Sequence, residues 1–120
     1  GPRPEGAPHE AWAAHAAAVR SAVTDEETLL ATYDSFFGLT TLADTLLSFY
    51  RFDLIIHAWD IQRAAGNDLE LSDTELAFLE TCIPSWGDIF YQDGICKRPV
   101  EVPDDADRQT RVLALTGRRC

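Results

Sequence analysis

One helical stretch constrains this chain more than any other. Arg51-Phe52-Asp53-Leu54-Ile55-Ile56-His57-Ala58-Trp59-Asp60 lies within residues 42–65, where apolar side chains recur at helical spacing and no Pro or Gly interrupts. At about 100° per residue, Asp44, Ser48, Arg51 and Gln62 share one narrow arc, which reads as the solvent face. Asp53, His57 and Asp60 fall on the opposite arc, together with Leu46, Phe49, Tyr50 and Ala64. The expectation is one continuous helix over 41–65 that turns Asp53, His57 and Asp60, at i, i+4 and i+7, towards the core. Burying a carboxylate or an imidazole without a partner is costly. Either a divalent metal or a buried hydrogen-bond network must then satisfy the three groups.

A length of 120 residues suits one small domain, and 46% hydrophobic content is that of a globular protein. The net charge of −10 argues against nucleic acid and against anionic membrane surfaces, both of which attract basic patches. No apolar run reaches the length of a membrane span, and no basic-then-apolar signal peptide is present, so a cytoplasmic location is expected. Cys82, Cys96 and Cys120 are odd in number and widely spaced, which fits reduced thiols better than a disulfide framework. The absence of any CxxC or CxxH pair excludes a structural zinc ribbon, and Cys120 reads as an incidental exposed thiol. The chain contains no Met, and Gly-Pro-Arg-Pro-Glu-Gly-Ala-Pro at its start reads as a flexible leader over 1–8. Residues 9–120 are accordingly expected to be the C-terminal portion of a longer helical domain.

The remaining segments read as short elements. Residues 9–23 form an Ala-rich helix with an apolar stripe of Trp12, Ala16, Val19 and Val23. Thr24-Asp25-Glu26-Glu27 has the pattern of a capping box. Residues 29–38 read as a short helix or as a strand ending in a turn, and an extended or hairpin-like connection is expected over 33–40. Gly66-Asn67 stops the long helix. Ser72-Asp73-Thr74-Glu75 caps a helix carrying Leu76, Leu79, Cys82 and Ile83 on its inner stripe, and Pro84 and Gly87 weaken its end. Residues 90–98 read as loop and 99–103 as a short extended piece. The acids of Asp104-Asp105-Ala106-Asp107 open a last helix, where the helix dipole favours them, and that helix ends at Gly117.

Two of these blocks resemble a known family. Asp53-Leu54-Ile55-Ile56-His57-Ala58-Trp59-Asp60-Ile61-Gln62-Arg63-Ala64-Ala65-Gly66 resembles the "D-x-x-x-H-x-W-D-L-x-R-A-x-G" helix of the actinobacterial DinB-like metal-binding proteins, which are related to mycothiol-dependent maleylpyruvate isomerase. Pro99-Val100-Glu101-Val102-Pro103-Asp104-Asp105-Ala106-Asp107, followed by Arg111-Val112-Leu113-Ala114-Leu115-Thr116-Gly117-Arg118, resembles the same family's C-terminal signature. The resemblance covers residues 10–118. It implies an all-α fold, a partial up-and-down four-helix bundle of DinB type, with a small extended excursion near 33–40. It also implies a divalent metal, zinc foremost, held by Asp53 and His57, with Asp60 supporting from behind. Asp53 stands where the isomerase has Glu, so its carboxylate reaches less far. The family's third ligand, a His in a "W-x-x-x-D-L-x-x-H" motif, has no counterpart here.

The resemblance therefore implies a metal-dependent, thiol-using transferase or isomerase in complete form, with mycothiol or another low-molecular-weight thiol and a small-molecule substrate as partners. The alternative is a non-catalytic helical interaction domain in which Asp53, His57 and Asp60 form a buried hydrogen-bond network. An apolar face left without its neighbouring helices is expected to pair two copies as a homodimer. His9 and His15 lie six apart and share no helix face, and Arg51 and Arg63 read as surface groups. No serine sits in a nucleophile-elbow context, and no Gly-rich phosphate loop or EF-hand spacing occurs.

Overall fold

The computed structural model describes residues 7–119. The expected leader over 1–8 lies almost wholly outside them, as does Cys120. The chain is mainly helical with one small hairpin: α1 (Pro8–Ala22), α2 (Glu26–Leu30), β1 (Thr32–Ser35), β2 (Gly38–Thr41), α3 (Leu42–Thr45), a π-turn (Leu46–Tyr50), α4 (Arg51–Ala64), α5 (Asp73–Trp86), a 3₁₀ turn (Gly87–Tyr91) and α6 (Arg108–Ala114). These form two compact units that divide between Leu47 and Ser48. No helix among the described residues is long and apolar enough to cross a membrane.

The first unit is built from local hydrogen bonds. Pro8 stands in the first turn of α1, where its missing N–H is not needed. Asp25, rather than Thr24, caps α2: its carboxylate accepts from the Thr28 amide at 2.9 Å. Thr24 instead turns its hydroxyl back onto the carbonyls of Arg20 and Ser21 at the end of α1. The hairpin pairs Thr32 with Thr41 and Ser35 with Gly38, as the sequence suggested for this region. Gly38 takes a φ of 103° where the chain re-enters β2. Thr41 caps α3 by accepting from the Asp44 amide at 3.0 Å. The expected stripe of α1 finds no core, because Trp12 and Val19 are exposed.

The second unit holds the core. Phe52, Ile55, Ile56 and Trp59 of α4 pack with Leu76, Leu79, Cys82 and Ile83 of α5, Phe90 of the 3₁₀ turn, and Val112 and Leu113 of α6. Aromatic rings extend this core: Phe49 stacks on Trp86 at 4.4 Å, and Phe52 meets both Trp86 and Phe90 edge-on. Ser72 and Glu75 form the expected capping box at the start of α5. The side chain of Gln109 ties 69–71 to α6, accepting from the Leu71 amide at 2.7 Å and donating to the Leu69 carbonyl at 3.0 Å. Asp107, not the earlier acids, caps α6.

The expected inward arc of Asp53, His57 and Asp60 is wrong in register. Asp53 and His57 are exposed and Asp60 is half-buried, while Phe52, Ile55, Ile56 and Trp59 face the core at i, i+3, i+4 and i+7. Phe49, three positions before Phe52, shares Trp86 with it, so the inward stripe runs through Phe49, Phe52, Ile55, Ile56 and Trp59. The helix is also apolar on its far side: Leu54 is 74% and Ile61 66% exposed, opposite the buried stripe. With apolar residues on two sides, a helical wheel through 41–65 does not by itself say which side packs.

Candidate functional site

Two of the three singled-out residues of α4, His57 and Asp60, meet at the surface of the second unit. One turn of helix places His57 and Asp60 on adjacent positions, and His57 Nδ1 lies 3.1 Å from Asp60 Oδ2. Asp53 stands one turn earlier, exposed, and takes no part in this pairing. The network is therefore neither fully buried nor an Asp-His-Asp triad. Its third member is Arg118, which lies 58 positions further along the chain.

Arg118 approaches Asp60 as a fork. Its Nε donates to Oδ1 at 2.7 Å and its Nη2 to Oδ2 at 2.6 Å. This bidentate geometry is the strong form of an Arg–carboxylate pair. The turn that delivers Arg118 follows from the end of α6. Gly117 adopts a φ of 75°, its amide donates to the Ala114 carbonyl at 3.0 Å, and the Arg118 amide donates to the Leu113 carbonyl at 3.3 Å. A Cβ at Gly117 would stand 2.5 Å from the Lys97 Cβ and 3.0 Å from the Arg98 carbonyl oxygen, so close packing also demands glycine here.

Around the bridge lies an open cleft of about 300 Å³, bordered by Asp60, Cys96, Lys97 and Arg118. Arg118 Nη1 reaches the Thr116 carbonyl at 3.4 Å, and the Cys96 thiol contacts the same oxygen at 3.6 Å. Electrostatics follow from these contacts. The Arg118 hydrogen bonds hold the Asp60 carboxyl below its ordinary range, against the opposing effect of partial burial, and His57 adds to the lowering. Asp60 in turn raises the pKa of Arg118. Both groups are thus charged at neutral pH. Burial pushes the Cys96 thiol up, and it pushes the Cys82 thiol up to about 11, so neither is an activated nucleophile. Cys82 packs in the core, as its position on the inner stripe of α5 suggested.

As a metal centre the constellation is partial. Asp53 and His57 offer two oxygen and nitrogen donors on exposed α4 surface, and Asp60 supports the imidazole. Among the described residues no group of three or more His, Cys, Asp or Glu side chains could hold a metal ion. His9 and His15 are exposed on α1 and join no such group. Arg51 and Arg63 are surface groups: Arg51 lies over the Phe78 ring at 4.2 Å and Arg63 pairs with Asp68 at 3.3 Å.

Sequence reasoning assigned no role to Arg118. The usable signal was its place immediately after a helix-ending glycine, together with a carboxylate, Asp60, that needed a cation. The Asp60–Arg118 bridge joins α4 to the turn at the end of α6. Comparison with models of protein families, with curated proteins and with solved structures returned no match.

Proposed function

We propose that the second unit is a divalent-metal-binding helical module of the DinB-like type, in which His57 Nε2 and the Asp53 carboxylate are metal donors and Asp60 orients the imidazole. The observation that carries this reading is the His57–Asp60 contact. An ionised carboxylate accepts and cannot donate, so Nδ1 carries the proton and Nε2 is left as the donor atom on exposed helix surface. Metal-binding histidines characteristically use their second nitrogen in this way. Catalytic zinc usually has three protein ligands. Asp53 and His57, two donors, make one edge of such a site. When bound, a divalent ion supplies positive charge that favours the deprotonated form of a small thiol. Mycothiol or a related cytoplasmic thiol, a small-molecule substrate and a four-helix bundle belong to this reading through the resemblance alone.

Zinc titration of the chain followed by calorimetry tests it. Uptake near one equivalent is expected, lost in His57→Ala and weakened about 10–100-fold in Asp60→Asn. No uptake by the unsubstituted chain ends the metal reading.

A second reading is favoured by one specific observation. Leu54, His57, Ile61 and Ala64 recur at 3-4-3 spacing and are all exposed. That is the seam of a paired helix. A second copy of the chain, related by a two-fold axis, can present the same face to it. In this reading the module is non-catalytic and α4 is its dimer contact. The charge of −10 opposes association, but the screening length at physiological salt is only about 8 Å. Sedimentation at micromolar concentration separates the readings: a dimer that Ile61→Glu dissociates supports the second.

A further inference from the structure

We infer that Arg118 is a positioning residue for His57, acting through Asp60, so that the turn at the end of α6 governs the presentation of the imidazole on α4. The inference rests on the metal-donor reading of His57 for its purpose and on the geometry alone for its physical content.

Asp60 Oδ2 is shared: Arg118 Nη2 donates to it at 2.6 Å, and His57 Nδ1 lies 3.1 Å away. The second oxygen, Oδ1, accepts from Arg118 Nε at 2.7 Å. Two contacts from one planar guanidinium fix both the position and the plane of the carboxylate, which a single contact does not. A half-exposed Asp on a helix otherwise samples several rotamers and meets water. With its plane fixed, Oδ2 is held towards His57, whose own side chain is 64% exposed and has little packing to orient it.

The guanidinium is itself held. Its Nη1 lies 3.4 Å from the Thr116 carbonyl, and Thr116 is buried with its hydroxyl on the Leu113 carbonyl at 2.7 Å. Gly117 fits its turn against Lys97 and Arg98 with no room for a side chain. The chain of support therefore runs from the α6 core, through a turn that only glycine fits, to Arg118, Asp60 and His57. The coupling is reciprocal: whatever fixes His57 also favours the closed turn.

The test reads the imidazole directly and needs no metal. In metal-free protein, ¹⁵N-resolved NMR of the His57 ring reports which nitrogen bears the proton at a pH where the ring is neutral. The unsubstituted chain is expected to hold the Nδ1–H form. Arg118→Gln is expected to lose that preference, as Asp60→Ala does, while Arg118→Lys, with a single donor nitrogen in place of the two-nitrogen fork, is expected to retain part of it. Backbone amide spectra confirm that each variant is folded. In parallel, zinc affinity is expected to fall about tenfold in Arg118→Gln, the size typical of a supporting contact. An unchanged His57 tautomer in Arg118→Gln overturns the inference, since Asp60 would then orient the ring unaided. Zinc failing to bind the unsubstituted chain removes the metal reading, and the tautomer comparison still decides the positioning role.

Discussion

From Ala7 to Leu47 the chain forms helices, a hairpin and well-made caps, yet none of its side chains is buried. From Ser48 onward the same kinds of cap and turn enclose a core that includes Ile56, Leu79, Ile83, Phe90 and Leu113. The difference separates two roles that are easily confused. Local hydrogen bonds and caps choose which secondary structure a segment adopts. Burial decides whether that choice survives competition from the unfolded chain, because isolated helices of these lengths are marginal in water. A candidate site that depends on geometry therefore belongs in the second unit, where the residues holding Asp60 and Arg118 rest on a packed core.

The largest contrast is expected from deleting buried volume. Leu113 is fully buried between α6 and its neighbours, whereas Leu39 in β2 is exposed. Leu113→Ala should lower the urea stability of the second unit by about 2–5 kcal/mol. Leu39→Ala should change it by less than about 0.5 kcal/mol. Equal effects would show that the first unit contributes to a common core.

Two glycines with positive φ offer the next contrast. Gly117→Ala adds a methyl 2.5 Å from the Lys97 Cβ on a backbone at φ 75°, so strain and clash combine. A loss of about 2–4 kcal/mol in the second unit is expected. Gly38→Ala has open space around the new methyl and bears the backbone strain alone, about 1–3 kcal/mol. Hydrogen exchange should confine that loss to the hairpin amides.

Caps come third. Ser72 closes the capping box of α5, and Asp25 caps α2. Replacing Ser72 by Ala is expected to cost about 1 kcal/mol. Ser72→Ala should shift the cooperative unfolding midpoint, because α5 is in the core. Asp25→Ala should leave that midpoint in place and appear only as lost helical signal from the first unit.

The same division explains what the sequence could convey. The capping box at Ser72 and the inner stripe of α5 were readable because a cap and a periodicity of 3.6 are local properties. The segment near 33–40 was readable as a strand ending in a turn at Gly38, with a short helix as the alternative. The face of α4 was not, because Leu54 and Ile61 make the helix apolar on two sides. The Asp60–His57 partnership was within reach of i, i+3 spacing. The Asp60–Arg118 bridge was not, since it spans 58 positions and depends on how α6 packs. The missed cap at Asp25 was a one-residue choice between Thr24 and Asp25, both good capping residues, which Asp25 wins by reaching the Thr28 amide.

Acid titration gives the smallest and most discriminating contrast. Both units contain a cap carboxylate with a lowered pKa: Asp25, through hydrogen bonds from the Thr28 hydroxyl and amide, and Glu75, through those from the Ser72 hydroxyl and amide. A carboxylate with a depressed folded pKa stabilises the fold fully above its unfolded pKa. That contribution is lost as pH falls through the lower folded value. For Glu75 the loss therefore begins below its ordinary value of 4.5, and for Asp25 below 3.8. Both groups face solvent, so each effect is small. Protonating Glu75 opens the capping box of a core helix and should lower the unfolding midpoint of the second unit, a dependence that Glu75→Gln flattens. Protonating Asp25 should fray α2 alone and leave that midpoint where it was. A pH dependence of the second unit unchanged by Glu75→Gln would place its acid sensitivity on another carboxylate, with the Arg108 partner Glu80 the next to substitute.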